Sequence, residues 1–362
     1  MTNSKVGRRN LLYGLFLVVS FVTVLLLATA NRGTFPFASD DDASFFIPAW
    51  NLAVFGNLNP VALNAPDGIY WVPHGFYVWI AFFLRLINTT KGVALAVSAA
   101  TIATAVVLLL AGLARVAYSR GFTIACAILL VSPPTFFAGN TIRMEGLIVL
   151  LYAAAIWLHT CKRYTLALSM LTLSLLVHPA LGVSLGLYAL SLTALAIRDD
   201  SAPARRLTGF AAASNVVVVL SVVLAFAAEL VLIASHRQIF HTHMGYQVRR
   251  KAAFTVTNAL FNRRWLALIA EILIMATLAV AARYAGVGRR FLTEIAPVGL
   301  MALGLQTYAA FGREMAYEIY HASIVPVSIL CVAYGTTSLI LQERKFTVAQ
   351  NGYAPTPAAN GG

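Results

Sequence analysis

Charge is what this sequence has least of. Only 11% of its 362 residues are charged, against about 25% in an average soluble domain. Hydrophobic residues make up 60%, and the mean hydropathy is +0.79. A chain this apolar is neither a soluble enzyme nor a disordered segment. Cysteine is scarce too: Cys126, Cys161 and Cys331 lie in or beside apolar runs with no Cys-x-x-Cys spacing. That excludes a disulfide scaffold and leaves the thiols as packing residues. The apolar stretches do not alternate with polar residues, which argues against a β-barrel. There is no internal repeat, no nucleotide-sugar motif and no Gly-rich phosphate loop. The net charge of +13 invites a nucleic-acid reading, but no basic stripe interleaved with aromatics accompanies it, so nucleic acid is rejected as a partner.

Long apolar runs are what the sequence has in abundance. A membrane-spanning helix needs roughly 20 apolar residues. Runs at 11–30, 92–114, 121–138, 146–160, 164–178, 180–197, 208–234, 265–282, 292–311 and 322–342 read as ten spans. The expected fold class is therefore all-α, a polytopic transmembrane helix bundle over residues 1–345. A small, polar, Pro/Gly-rich tail at 346–362 reads as disordered. The first run follows Lys5, Arg8 and Arg9 and is longer than the apolar region of a signal peptide. It reads as a retained helix whose N-terminus is cytoplasmic.

Orientation turns on the short stretch 71–88, which opens with Pro73-His74-Gly75 and contains Arg85. If it does not cross, the inner side receives Lys5, Arg8, Arg9, Arg115, Arg120, Lys162, Arg163, Arg198, Arg205, Arg206, Arg283, Arg289, Arg290, Arg344 and Lys345. These are 15 of the 26 cations. If it crosses, the division becomes 13 against 13. Because cationic residues collect in cytoplasmic loops, a non-crossing, interfacial or re-entrant segment is favoured. Both termini are then cytoplasmic, in what is most economically a bacterial inner membrane. Nearly every polar constellation falls at the outer face.

Five such constellations stand out. Asp40-Asp41-Asp42 places three carboxylates side by side, so one can have a raised pKa and serve as a base. A solvated turn capping the following helix is the plainer reading. That helix, ASFFIPAWNLAVFGNL, is apolar and aromatic and suits the membrane surface. Arg143 and Glu145 flank the start of a span, either as part of a site or as a local ion pair anchoring a helix end. His178-Pro179 sits at a turn. Proline forces the preceding backbone to be extended, which would project the imidazole into the outer opening; a turn residue with no chemistry is the equal alternative. The loop 235–264 carries His236, His241 and His243, and then Arg249, Arg250 and Lys251, which suit a lipid-phosphate head group or a solvated face. Finally Arg313, Tyr317, Tyr320 and His321 recur at three- and four-residue spacing before the last span. Polar groups are expensive in a bilayer and are usually retained for a task; here they gather at one end.

The order of these features resembles the GT-C type of polyprenyl-phosphate-dependent glycosyltransferases, in particular the protein mannosyltransferase-like family and its aminoarabinose-transferase relatives. Asp41-Asp42 stands where that family has an acidic pair after the first span, with Ala49, Asn51, Leu52 and Gly56 in the corresponding places of the next helix. Trp71-Val72-Pro73-His74-Gly75-Phe76-Tyr77-Val78-Trp79 is similar to its Pro- and Tyr-containing segment. Arg143-x-Glu145 and His178-Pro179 also resemble family features, and the likeness covers roughly residues 8–200. The second acid is Asp42 where the family has Glu, and the extracytoplasmic C-terminal domain of many members is absent from these residues.

The resemblance implies a GT-C-like bundle with an interfacial helical first loop and an inverting transfer. A sugar moves from a polyprenyl-phosphate donor to a hydroxyl of a lipid, glycan or protein acceptor, at the extracytoplasmic face. Asp41 is the implied base, assisted by Asp42 or Asp40. His74, Arg143, Arg249, Arg250, Lys251 and Arg313 are candidates to stabilise the departing lipid phosphate, with His178 and Tyr317 beside them. Glu145 either orients the acceptor or completes a divalent-cation (Mg or Mn) site with the aspartates. A transporter or flippase for a lipid-linked or polar substrate is the alternative from another class. It would place charged or broken helices near the midplane of repeated halves, and neither is evident.

Overall fold

The computed structural model describes residues 2–29, 40–59, 73–130, 132, 140–198, 213–252, 263–311 and 318–352, and every regular element among them is helical. In chain order these are α1 (Thr2–Thr29), α2 (Asp40–Phe55), α3 (Gly75–Leu86), α4 (Lys91–Val116), α5 (Arg120–Leu130), α6 (Glu145–Thr160) and α7 (Tyr164–Ser174). A 3-10 turn (Pro179–Leu181) then leads into α8 (Gly182–Arg198), followed by α9 (Ala213–Ser235), α10 (Arg237–Ala252) and α11 (Arg263–Tyr284). Two further helices are each entered through a π-turn. Phe291–Ile295 precedes α12 (Ala296–Phe311), and Tyr320–Ile324 precedes α13 (Val325–Gly352).

Among the described residues, five helical stretches are long and apolar enough to cross a membrane: Asn10–Thr29, Lys91–Val116, Asn215–Ser235, Arg263–Tyr284 and Tyr320–Phe346. Their exposed faces explain why the chain needs hydrocarbon around it. On α1, Leu11, Leu15, Val18, Val22 and Leu26 all face outward, and on α9 Val217, Leu220, Leu224 and Val231 do the same. These residues recur every three, four or seven positions, so each helix presents one continuous apolar stripe. Stripes of that size on a soluble protein mark an interaction surface or cause aggregation; against lipid they cost nothing. The other apolar runs of the sequence, in α5, α6, α7, α8 and α12, form helices of 11 to 17 residues.

Small residues set the packing inside. In a bilayer, helices associate where backbones approach closely, which Gly and Ser permit. A Cβ on Gly112 of α4 would lie 2.9 Å from Ile156 of α6. One on Gly304 of α12 would collide with the backbone of Ser184 in α8, and one on Gly335 of α13 with the Val116 carbonyl. The Ser184 hydroxyl donates to the Met301 carbonyl at 2.8 Å across the same α8–α12 crossing. Helix α1 runs antiparallel to α4. Its Tyr13 hydroxyl donates to Leu110 O at 3.0 Å, and Arg120 donates to Asn10 at 2.6 Å beyond the end of α4.

The stretch between the first and second long helices forms two short ones. With 12 residues, α3 is about 18 Å long. It runs parallel to α2. Near their starts the Phe45 ring meets those of Phe76 and Tyr77 at 5.5 and 6.3 Å. At their ends Arg85 donates to the Ala53 and Leu52 carbonyls at 2.8 and 3.1 Å. A guanidinium there satisfies carbonyls that a helix terminus leaves unpaired. Gly56 closes α2 with φ +74°, a conformation that a Cβ would strain.

Two expectations need correcting. The stretch 235–264 was expected as a loop, yet it holds the 16-residue α10. Residues 237–252 contain no proline and several good helix formers (Gln, Met, Arg, Lys), so the backbone continues almost directly from α9. The disordered tail was expected from 346, but α13 continues to Gly352. Residues 353–362 lie outside the described residues.

Candidate functional site at one end of the helix bundle

The polar residues singled out in the sequence collect where α2, α3 and α6 begin. His74 caps the N-terminus of α3 and is 3% exposed, with Nδ1 3.1 Å from the Glu229 carboxylate of α9. Arg143 and Glu145 are both buried, at 7% and 3% exposure. Arg143 Nε and Nη2 donate to the Glu145 carboxylate at 3.1 to 3.3 Å. This is the local ion pair that the sequence allowed, standing at the first turn of α6. An acidic residue there also faces the positive end of the helix dipole.

Phe45 ties the pair to α2. The Arg143 guanidinium carbon lies 5.8 Å from the centre of the Phe45 ring, within cation–π range. Asp41 is one helical turn before Phe45 on the same helix, about 6 Å along its axis. The structure describes only the backbone of Asp40, Asp41 and Asp42, which forms the first turn of α2. Asp41 and Arg143 therefore belong to the same end of the bundle.

His178 is joined to this group through the backbone, because the Gly75 amide donates to Leu176 O at 2.8 Å. As proline requires of its neighbour, His178 is extended, with φ −170° and ψ 148°. Its ring, however, does not project into an opening. It is 5% exposed and packs edge-on against Tyr308 of α12, whose hydroxyl is 3.3 Å from Nδ1.

One residue beyond Tyr308 a second cluster begins, of which the sequence reading singled out only His321. Arg264 of α11 is buried and donates to the Ala309 carbonyl at 3.3 Å and to Glu318 at 2.7 Å. Arg263 donates to the same Glu318 oxygen at 2.9 Å. Gln306 donates to the Arg264 carbonyl at 2.9 Å and lies 2.9 Å from His321 Nδ1. Burial pushes the Glu318 carboxyl upward, but the hydrogen bonds and charges of Arg264 and Arg263 outweigh it and hold the group below the usual carboxylate range.

The described side chains do not include every candidate. Arg249, Arg250 and Lys251 lie on the last turns of α10, whose backbone alone is described there, about 18 Å along the helix from Arg237. Arg313 and Tyr317 lie outside the described residues. Among the described residues no three His, Cys, Asp or Glu side chains gather as a metal would require, and Glu145 is already neutralised by Arg143. The side chains named above form the floor of the site; segments 30–39, 60–72, 133–139, 253–262 and 312–317 lie outside the described residues.

Chemically, this floor holds two buried arginines, each paired with a carboxylate (Arg143 with Glu145, Arg264 with Glu318), and histidines for hydrogen bonding, beside the helix turn that carries Asp40, Asp41 and Asp42. No family model matches the chain, and no curated protein or solved structure does either.

Proposed function

We propose that this chain is a membrane glycosyltransferase of the GT-C type, moving a sugar from a polyprenyl-phosphate donor to an acceptor hydroxyl by an inverting displacement. The observation that supports this reading is the shared end of the bundle. The Asp40–Asp42 turn, the Arg143–Glu145 pair, His74 and His178 come from four separate parts of the sequence and converge there. In this reading ten helices cross the membrane, both termini are cytoplasmic, and the convergent end faces the outside of a bacterial inner membrane.

Asp41 takes the proton from the acceptor hydroxyl as its oxygen attacks the anomeric carbon. The bond from that carbon to the phosphate oxygen breaks, and the electron pair leaves with the polyprenyl phosphate. Its growing charge falls to Arg143 and His74, with Arg264 further along the floor. Glu145 holds Arg143 in place, which makes it a positioning residue. Because Arg143 occupies that carboxylate, no step is assigned to a metal.

The test supplies purified protein in lipid with a panel of radiolabelled polyprenyl-phosphate sugars. Wild type is expected to transfer or slowly hydrolyse one of them, and Asp41→Asn to lose about 10²- to 10⁴-fold of that rate. Movement of the substrate across the bilayer without glycosidic chemistry would favour the transporter reading instead.

A further inference from the structure

At the opposite end of α4 and α6 the structure contains a hollow of about 450 Å³ that the glycosyl-transfer reading does not use. Thr160, on its wall, is 15 positions from Glu145 on α6, about 22 Å along the helix. Three cations line it, Arg115, Arg120 and Lys162, against a single carboxylate, Glu294. That carboxylate is already engaged: it accepts a short hydrogen bond from Tyr118, and Arg290 lies 4.0 Å away. Partial burial and the Glu294 contact both push the Tyr118 hydroxyl above its ordinary pKa, so it stays a donor. Arg120 donates to Asn10 and Arg115 contacts the Cys161 sulfur. The Lys162 ammonium has no hydrogen-bond or ion-pair partner among the described residues.

The backbone around the hollow is unusual in a second, independent way. Tyr118 and Lys162 are the two non-glycine residues with positive φ among the described residues, at 51° and 60°, and both line it. Each follows the end of one of two neighbouring helices, the position where glycine is normally found. Glycine would relieve the strain, but it would also remove a phenol from one wall and an ammonium from the other. Left-handed side chains of this kind cluster at binding sites. The remaining wall mixes Ala114 and Val116 with the polar Ser119, His159, Thr160 and Thr293, and α4 is one of the helices long enough to span a bilayer.

We propose that this hollow is a binding site for the phosphate of an anionic membrane phospholipid, held by Arg115, Arg120 and Lys162 at the end of the bundle opposite the Asp41 turn. Three cations with one satisfied carboxylate select a phosphate-bearing anion. Their place at the end of a helix long enough to span a bilayer selects one that arrives from the leaflet.

The experiment follows the thermal stability of the full chain in neutral detergent as phosphatidylglycerol, phosphatidylcholine or inorganic phosphate is titrated in. Phosphatidylglycerol is expected to raise Tm, and the other two to leave it unchanged. Lys162→Gly is the decisive variant. Without lipid its Tm should rise, because glycine adopts the left-handed conformation freely; its affinity for phosphatidylglycerol should fall about fivefold. Arg115→Gln should show the loss of affinity without the gain in Tm. Equal shifts from phosphatidylglycerol and phosphatidylcholine, or undiminished affinity in both variants, would overturn the site. A shift from inorganic phosphate equal to that from phosphatidylglycerol would overturn the lipid as its ligand.

Discussion

Arg143 and Glu145 are as deeply buried as the apolar residues around them, and they satisfy each other. Removing one partner leaves an uncompensated charge, which typically costs about 3–5 kcal/mol, whereas replacing both with apolar groups is often close to neutral. Arg143→Met alone and Glu145→Leu alone should therefore both unfold earlier in denaturant than the double variant, although all three lose transfer activity. A double variant less stable than either single would show that the two charges are not paired. Glu318 supplies a pH test. Its folded-state pKa is depressed by Arg264 and Arg263, so its contribution is fully present above the ordinary carboxylate pKa and is lost as pH falls through the depressed value. Wild type should lose stability on acidification below about pH 4.5 more steeply than Glu318→Gln; parallel profiles would contradict the assignment. Local features of this kind were partly legible in the sequence. Proline after His178 fixed its extended backbone, and the Arg-x-Glu spacing allowed the ion pair. The pairings of His74 with Glu229 and of Arg264 with Glu318 span 155 and 54 residues. No sequence periodicity specifies such long-range partners, so they emerge only from how the helices pack.

At the scale of the element, the existence of the apolar helices was readable, but their lengths and the polar helix α10 were not. Apolar composition marks a buried helix and a lipid-facing one alike, so runs such as 164–178 gave no sign that α7 stops at Ser174. The close crossings depend on single glycines whose role becomes visible only when the neighbouring helix is in place. Gly304 meets the Ser184 backbone with no room for a Cβ. Gly304→Val should therefore force α8 and α12 apart and cost at least about 1–3 kcal/mol, read as a lower Tm. Gly186→Ala, on the same α8 with open space around it, should change little. Comparable losses in both would mean that the crossing does not set the effect, since helix propensity favours both replacements over glycine.

For the whole molecule, the proposed orientation puts the cation-rich end of the bundle in the cytoplasm and the Asp41 end outside. Cysteine labelling in intact cells checks this cheaply. On a background lacking Cys126, Cys161 and Cys331, Asn59→Cys at the end of the first short helix should react with an impermeant maleimide from outside. Glu343→Cys on α13 should react only after permeabilisation. Both residues are exposed, so the reverse pattern would invert the bundle and place the carboxylate turn in the cytoplasm.

The central claim is that one end of this bundle performs glycosyl transfer with Asp41 as base and Arg143 on the leaving phosphate. The measurement that tests it most directly is kcat and KM for the preferred polyprenyl-phosphate sugar in wild type, Asp41→Asn and Arg143→Lys. Asp41→Asn should keep the donor KM and lose kcat by about 10²-fold or more. Arg143→Lys, which keeps the charge but loses the planar fork, should raise KM and also lower kcat. Unchanged kcat in Asp41→Asn would contradict the account.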